Sequence, residues 1–562
     1  MIVLNNYLTE GVSFSDAMDK ALQEAHNQSD FVLIKEGEYK ADRTIAITNE
    51  KYTNCRGIIG EDRTRVKIWA DRAQTIDWNP DLNNTDARYE ALILLERVDH
   101  KVISAISLHY KGEFYRSGKS YFGSVNGIYL EHTNQCKVAN VEIQGCNRAG
   151  VFLNTVDRAV RGEKATKHYY NGLDPKQMGL PKGNVITNCI LHHNRVAGVL
   201  GGWQEDLVIR GNHCYRNGHE RDGGTGYGVA LSSGAVNTNY LYEKNLVEYN
   251  YRKGLDVHDG FDGTITDNQV FCNRFHGIAI EHRGYPGKNC IITNNHITFD
   301  NDFRLDRDDE VPEGQAINPR QDYYQQRAIR IELKPQQWQK WANEVPDPKY
   351  VIEGNRISGL SSDDRGEHRV LELYNKNNSD DVTPNWTIRN NIINCGKVAY
   401  VAFIDAAPDC KNGLGNVTIE NNYIIADWVE VAPFTIQEAT KVKFGEGRAI
   451  KFENNYLQVT SVNSGAKAIH YNGTVETYSV KGNNFNLVPN INRPVMRFQC
   501  NLDGKADALK WSCTNNTFTL ALANIHIFKG ATWWATDKSK VTMAGNVHHL
   551  VYKIPLDDKV VE

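Results

Sequence analysis

Short apolar strands and polar turns alternate along most of the chain from about residue 120 onward. A four-residue motif recurs twelve times, at spacings of 23 to 60 residues. It consists of an apolar residue, two further residues and an asparagine. Asparagine tolerates left-handed backbone and bonds to neighbouring backbone, so stacked copies would form a ladder of amides. The asparagines are Asn188, Asn212, Asn245, Asn268, Asn295, Asn355, Asn391, Asn422, Asn455, Asn483, Asn516 and Asn546.

A repeat of this size predicts an all-β fold, a right-handed parallel β-helix whose longer spacings carry loop insertions. A β-propeller is the alternative, but its larger blades and antiparallel hairpins fit the pattern less well. We expect three parts. Residues 1–60 form an N-terminal cap with the first strands, 61–460 form the β-helix with a catalytic groove, and 461–562 form terminal coils that cap the helix or contact another subunit.

A helical pattern precedes the first strands. Residues 13–26 place apolar side chains on one stripe, and Ser13 or Ser15 is available as the N-cap. A short amphipathic helix at this point would cover the open end of the β-helix. The stripe consists of Phe14, Ala17, Met18, Ala21, Leu22 and Ala25.

A second series of strands begins with glycine, as in residues 127–132, 150–155, 198–203, 228–233, 254–259 and 277–282, and continues in 328–333 and 370–375. Alternation with a period of two sends the second and fourth residues inward and the third and fifth outward. The third positions are Tyr129, Phe152, Leu200, Ala230, Asp256, Ala279, Arg330 and Glu372. The fifth positions are Glu131, Asn154, Gly202, Ser232, His258, Glu281, Glu332 and Tyr374. We therefore expect an outward track that is mainly acidic, with aromatic contributions.

Residues 248–284 contain one phrase twice. Asn250 precedes Gly254 by four residues, Asn273 precedes Gly277 by four, and the glycines lie 23 residues apart. Asp256, His258 and Asp259 are therefore expected one coil away from Glu281 and His282.

Two carboxyl groups across a glycosidic bond are what hydrolysis needs. The catalytic candidates are Asp256 or Asp259 together with Glu281, and His258 could orient a carboxylate or transfer protons. Glu332 is a second acidic partner. The candidate substrate-binding residues are His282, Arg283, Arg330, Glu332, Tyr374, Lys253 and Trp203.

Other interpretations of this track remain open. Outward acids are often only solvated surface, Ser232 and Ser233 beside His258 would suit an esterase, and a non-catalytic adhesin could grip glycans with the same groove. Two polar insertions, 156–183 and 284–327, are expected to form the walls of the groove.

Composition excludes several classes. The formal net charge is −4, so no basic field favours nucleic acid, and no apolar run is long enough for membrane insertion. The eleven cysteines form no CxxC pair, which predicts reduced core thiols and synthesis in a reducing cytoplasm. The first residues of the chain contain no basic region followed by an apolar one, so we expect no secretory signal. We expect no cofactor and no metal site. The acidic residues 306–310 could bind Ca²⁺, but their spacing fits no EF-hand.

The opening of the chain resembles bacteriophage tailspikes and related pectate-lyase-like proteins. The resemblance lies in the helix pattern, the apolar residues 31–34 and Gly37-Glu-Tyr39. It implies an endo-acting depolymerase that cleaves capsule or O-antigen, assembled as a homotrimer on the virion tail and made in the host cytoplasm.

One coil resembles another family. Asp256-Val-His-Asp259 is similar to the Asp-Pro-His-Asp motif of mannuronan C5-epimerases, with Val257 in place of proline and Lys253 where those enzymes have a tyrosine. The resemblance implies catalytic roles for Asp256 and His258. The alternative function is therefore a polysaccharide lyase or C5-epimerase acting on a uronic-acid polymer.

Overall fold

The computed structural model of the chain is a right-handed parallel β-helix, which confirms the predicted fold class. The structure describes residues 1–72, 90–112, 125–154, 179–218, 226–231, 236–282, 289–300, 325–333, 347–361, 368–376, 382–408, 410, 412–438, 445–462, 469–473, 475–487, 496–499, 510–520 and 541–550. By its internal contacts the chain divides into a first unit, Met1–Arg274 with Arg304–Gln321, and a second unit, Phe275–Phe303 with Asp322–Glu562.

Each coil contributes one strand to each of three parallel sheets. Strands of the first sheet precede the turn asparagine, strands of the second sheet follow it, and strands of the third sheet follow the next turn. The short strands are separated by residues in left-handed conformation, such as Asp267 at φ 56° and Asn294 at φ 56°. Asparagine and aspartate adopt this conformation at lower cost than most residues, which explains their abundance in the turns.

The first unit has the following strands. The first sheet contains Ile2–Val3, Phe31–Ile34, Gly57–Gly60, Val102–Ser104, Lys137–Ala139, Val185–Thr187, Val208–Arg210, Leu241–Glu243 and Gly263–Thr266. The second contains Gly37–Lys40, Val66–Ala70, Ser107–Tyr110, Glu142–Gln144, Ile190–His192, His213–Tyr215, Leu246–Glu248 and Gln269–Phe271. The third contains Ile45–Thr48, Glu90–Glu96, Val125–Glu131, Ala149–Asn154, Ala197–Gly201, Tyr227–Leu231 and Lys253–His258. A small fourth sheet contains Gln204–Glu205, Asn237–Thr238 and Gly260–Phe261.

The second unit repeats the three-sheet arrangement. Its first sheet contains Cys290–Thr293, Lys349–Glu353, Asn385–Arg389, Asn416–Glu420, Gly445–Glu453, Val475–Lys481, Lys510–Thr514 and Val541–Ala544. Its second contains His296–Thr298, Arg356–Ser358, Ile392–Val398, Tyr423–Val429, Tyr456–Val462, Asn484–Leu487, Thr517–Leu520 and Val547–Leu550. Its third contains His276–His282, Arg327–Leu333, Arg369–Asn375, Tyr400–Ala406, Phe434–Glu438, Ile469–Asn472 and Met496–Gln499.

The predicted amide ladder is present in both units. The ladder asparagines from Asn212 to Asn516 are buried. Within each unit, one asparagine accepts the backbone and side-chain N–H of the previous one, as Asn245 does from Asn212 and Asn391 does from Asn355. One assignment is wrong. Asn188 is a left-handed turn residue, and Cys189 occupies the ladder position, because its backbone N–H donates to Asn212 Oδ1 at 2.9 Å.

A second ladder runs through Asn194, Asn217, Asn250 and Asn273, at the turn between the second and third sheets. It includes both asparagines of the repeated phrase. Asn250 donates its backbone N–H to Asn273 Oδ1 at 3.1 Å and its side-chain N–H to the same oxygen at 2.9 Å.

The N-terminal helix is confirmed as Phe14–Gln28, followed by a left-handed Ser29. Ser13 is its N-cap and accepts the N–H of Asp16 at 3.1 Å. All six residues of the predicted stripe are buried. A short 3₁₀ helix, Leu4–Tyr7, precedes it.

Strand register within each unit confirms the alternation. Leu255, Val257, Ile278 and Ile280 are fully buried in the interior. Among the described residues ten cysteines are free, and burial raises the pKa of the Cys189 and Cys395 thiols to about 12, as expected of core thiols. Within the described segments we find no helix of the length and apolarity that crossing a membrane requires.

Candidate active site on the third sheet

In the first unit, the outer face of the third sheet carries an apolar cluster. Tyr129, Phe152, Leu200 and Ala230 occupy equivalent positions in successive strands and are at most 7% exposed. The ring centroids of Tyr129 and Phe152 lie 5.1 Å apart. The expectation that these two aromatic residues contribute to an open track is wrong, because their rings pack against each other and against aliphatic neighbours.

Asp256 follows Ala230 in this column and belongs to a buried triad, Lys253, Asp256 and His258. Lys253 Nζ lies 2.9 Å from Asp256 Oδ1, and His258 Nε2 lies 3.2 Å from Asp256 Oδ2. Asp256 and Lys253 are each 1% exposed. A buried carboxylate requires such a partner, because an unpaired charge would cost several kcal/mol in this setting. The triad therefore holds an ionised carboxylate against an imidazole, which suits proton transfer by His258.

Asp259 and Trp203 lie away from this face of the third sheet. Asp259 follows the strand in left-handed conformation and is fully buried, and its backbone carbonyl accepts the N–H of Asn237. Trp203 is also a left-handed turn residue and is 7% exposed. Both side chains are buried, and their roles as a catalytic and a substrate-binding residue stay predictions.

In the second unit, one arginine connects three carboxylates on the outer face of the third sheet. Arg330 donates to Glu281 at 2.6 Å, to Glu332 at 2.7 Å and to Glu372 at 2.8 Å. Lys376 Nζ also donates to Glu332, at 2.8 Å. Glu281 and Glu332 are register partners on neighbouring strands and are 2% and 1% exposed. The ion pairs with these cations compensate the burial of the two carboxylates.

Glu372 is the most strongly held acid of this group. Arg327 and Arg369 join Arg330 in donating to it, at 2.9 and 2.6 Å. Burial alone would raise the pKa of Glu372, but the three guanidinium groups outweigh burial and hold the pKa at about 2. Burial likewise opposes the charge of Arg330, yet Glu281, Glu372 and Glu332 raise its pKa above the ordinary value.

Of the predicted substrate-binding residues, His282 lies in the interior and Arg283 lies outside the described residues. His282 alternates along its strand with the inward-facing Ile278 and Ile280 and is 1% exposed. Its ring centroid lies 6.0 Å from that of the buried Tyr350. Its side chain therefore points into the interior, and its role as a substrate-binding residue stays a prediction. Arg283 lies outside the described residues, as do Ser232 and most of the two insertions.

Tyr374 and Asp405 belong to the accessible part of this face. Glu332, Tyr374 and Asp405 are consecutive register partners on three neighbouring strands. Tyr374 and Asp405 are both partly exposed, and Lys376 Nζ lies 4.2 Å from the centroid of the Tyr374 ring. Burial raises the pKa of Asp405 to about 6, although hydrogen bonds from Gln437 and the Ala406 backbone and the charge of Arg369 oppose the rise.

Sequence reasoning missed Arg327, Arg369, Lys376 and Asp405. Asp405 occupies the fifth position of a third-sheet strand in which Val401 stands where Gly254 and Gly277 begin their strands, and the series read from the sequence stopped at residues 370–375. Following the acidic column one strand further would have found it. The arginines lie beside the strand starts, where only the folded geometry brings them to Glu372.

Residues 126–298 match the family described as the right-handed beta helix region. No curated protein matches the sequence.

Several solved structures are similar to this chain at low identity. The catalytic domain of a GH87 α-1,3-glucanase in complex with nigerose is 13% identical, with a TM-score of 0.43, over 82% of this chain and 65% of that domain. The Dettilon tailspike protein is 10% identical, with a TM-score of 0.38, over 97% of this chain and 68% of the tailspike. The A-module of the mannuronan C-5 epimerase AlgE6 from Azotobacter vinelandii is 10% identical, with a TM-score of 0.34, over 98% and 99% of the two chains. The chain thus spans about two thirds of the glucanase domain's length.

Proposed function

We propose that this chain is an enzyme that hydrolyses glycosidic bonds of a polysaccharide on the outer face of the third sheet, in the second unit. The observation that carries the proposal is the pair of register neighbours Glu281 and Glu332, both buried and both bound to Arg330. Ion-paired carboxylates held in place before substrate arrives are the charge arrangement that an oxocarbenium-like transition state needs. Solvated surface acids would lack these buried partners.

Groups for binding a glycan adjoin this pair. Tyr374 is partly exposed and offers an aromatic ring to the apolar C–H face of a sugar, and Lys376 and Arg330 offer donors to hydroxyl or carboxylate groups. The tailspike-like opening of the chain favours a bacterial capsule or O-antigen as the substrate. Homotrimeric assembly and location on a virion tail stay predictions, as does the pairing of Asp256 with Glu281.

Substituting Glu281→Gln or Glu332→Gln tests the assignment. Each change keeps the side-chain shape and removes the charge, so we expect polysaccharide cleavage to fall by about 10²-fold or more while binding remains. Purified protein is incubated with a panel of capsular and O-antigen polysaccharides, and chain length, reducing ends and unsaturated-uronate absorbance are measured. Glu353→Gln is the matched control, because Glu353 pairs with Arg389 on the first sheet, away from this face.

The outcomes separate the functions. Shortened chains without unsaturation support hydrolysis, and unsaturated products support a lyase. Binding without any product would identify a glycan-binding protein. Full cleavage by both glutamine variants would overturn the assignment of Glu281 and Glu332.

A lyase or C5-epimerase is the second candidate, and the buried triad Lys253, Asp256 and His258 favours it. Abstraction of the C5 proton of a uronic acid needs a base beside a cation that neutralises the sugar carboxylate. His258 and Lys253 supply these groups within one strand, around Asp256. In that case Asp256→Asn and His258→Gln should abolish the unsaturated or epimerised product, whereas Glu332→Gln should leave the reaction largely intact.

A further inference from the structure

We propose that Asp405 is the proton donor of the hydrolytic reaction and acts across Tyr374 from Glu332, so that the bond is cleaved with inversion at the anomeric carbon. This inference rests on the proposed function and names the acid which that function requires.

The spacing of the strands supports the pairing. Glu332 aligns with Tyr374, and Tyr374 aligns with Asp405, so all three side chains leave the same face of the third sheet. Neighbouring strands stand about 4.8 Å apart, which places Glu332 and Asp405 roughly 10 Å apart at the backbone. Inverting glycosidases separate their carboxyl groups by about 6.5–9.5 Å, and retaining ones by about 5–5.5 Å. A two-strand separation therefore matches inversion and is too wide for retention.

The two carboxyl groups have opposite environments. Glu332 forms ion pairs with Lys376 and Arg330 at 2.8 and 2.7 Å. Asp405 takes part in none of the ion pairs found among the described residues, and Gln437 on the next strand donates a hydrogen bond to it. The charged or titratable groups that face it from the preceding strand are Arg369, Glu372 and Tyr374. Partial burial among these groups favours the neutral acid, which is the form that donates a proton.

The exposure of the side chains also supports the pairing of Glu332 with Asp405 across Tyr374. Glu281, Glu332 and Glu372 are buried, whereas Tyr374, Phe403 and Asp405 are partly exposed. A sugar bound over Tyr374 would have the Glu332 carboxylate on one side and the Asp405 carboxyl on the other. The position of the acid thus coincides with the aromatic platform that the proposed function assigns to substrate.

The reaction balances with water as the only co-reactant. The Asp405 O–H gives its proton to the glycosidic oxygen as the bond from that oxygen to the anomeric carbon breaks. A water oxygen forms the new bond to the anomeric carbon from the opposite face and transfers one proton to Glu332. Asp405 then recovers one proton from solvent, and Glu332 releases one proton to solvent, so both carboxyl groups regain their initial states.

Asp405→Asn tests the role, with Asp427→Asn as the matched control. Asp427 is an exposed aspartate on the second sheet of the same unit. We expect Asp405→Asn to lower the cleavage rate on the capsular and O-antigen panel by about 10²–10⁴-fold with unchanged binding, and the control to match the wild type. The wild-type rate should fall as the pH rises above about 6, as the acid loses its proton, and Asp405→Glu should restore part of the rate with a displaced alkaline limb.

The wild type provides an independent readout. Proton NMR of the first products should show the anomeric configuration opposite to that of the substrate linkage. Retention, or normal cleavage by a folded Asp405→Asn variant, would overturn the Asp405 assignment while hydrolysis itself stands. An absence of cleavage by the wild type on every polysaccharide would instead overturn the proposed function, and the inference with it.

Discussion

At the scale of single residues, the buried charges of Asp256 and Glu372 lie beside oppositely charged neighbours that compensate them. Asp256 is paired with Lys253, and Glu372 receives three arginines. Removing one member of such a group is far more costly than exchanging a surface charge, because the remaining partner stays buried without compensation. These residues therefore contribute to stability as well as to the chemistry of the site.

Glu372→Gln should lower the free energy of unfolding by about 3–5 kcal/mol at pH 7, because three guanidinium groups lose their shared anion. The folded-state pKa of Glu372, about 2, lies below its ordinary value of 4.5. Its charge therefore stabilises the protein fully above about pH 4.5, and this contribution is lost as the pH falls toward 2. Urea unfolding of both proteins at pH 7, 4 and 2.5 should show the difference between them shrinking at low pH. A difference that is the same at all three pH values would contradict the role of the charge.

At the scale of elements, the asparagine ladder joins one coil to the next. Asn422 is 2% exposed, accepts two N–H groups of Asn391, and donates to Asn455 and to the carbonyl of Ile388. Amides at this turn satisfy backbone groups that the short strands leave without a partner in their own coil.

Asn422→Ala should reduce the free energy of unfolding by about 2–4 kcal/mol, because the N–H groups of Asn391 and the carbonyl of Ile388 lose partners. Asn421→Gly is the control. Asn421 is exposed and left-handed, with φ 55°, a conformation that glycine adopts without strain. Urea unfolding measures the loss, and amide hydrogen exchange should show that it is greatest in the coils adjacent to Asn422. Equal midpoints for the two variants would contradict a structural role for the ladder.

At the scale of the whole molecule, a solenoid needs a cover at its end, since each coil buries its apolar surface mainly against its neighbours. The helix Phe14–Gln28 packs against the first strands and buries Ala17, Met18, Ala21, Leu22 and Ala25. Without it, the edges of the first strands and their apolar side chains would be open to other chains.

Leu22→Asp should therefore cause self-association, because a charge in the fully buried Leu22 position displaces the helix. Lys20→Asp places the same residue on the exposed side of the helix and should behave like the wild type. Light scattering after size-exclusion chromatography measures the association. Similar scattering from both variants would show that the helix is dispensable as a cover.

The described coils show why part of the fold was predictable. Period-two alternation places Leu255 and Val257 inside and Asp256 outside, and the register in each unit follows the columns read from the sequence. The same phrase did not identify which of two adjacent residues joins the ladder, so Asn188 was placed one position wrong relative to Cys189. A pattern that allows either of two neighbouring turn positions does not resolve a one-residue shift.

The site was predictable only in part, because the sequence pattern describes neighbours along the strand and not contacts made by the folded chain. Local alternation does not reveal what covers an outward side chain, so Phe152 was expected to be open and is buried. His282 was assigned from its neighbour Glu281, although its parity sends it inward toward Tyr350.

The sequence by itself determined the class of fold, the two faces of the strands and the location of the acidic positions, because these depend on periods of two and on turns formed by neighbouring residues. Only the tertiary structure decided which acids are ionised and which carboxyl favours its proton. Those properties depend on burial and on charges brought together from distant parts of the chain, such as Arg327, Arg330 and Arg369 around Glu372 and Gln437 beside Asp405.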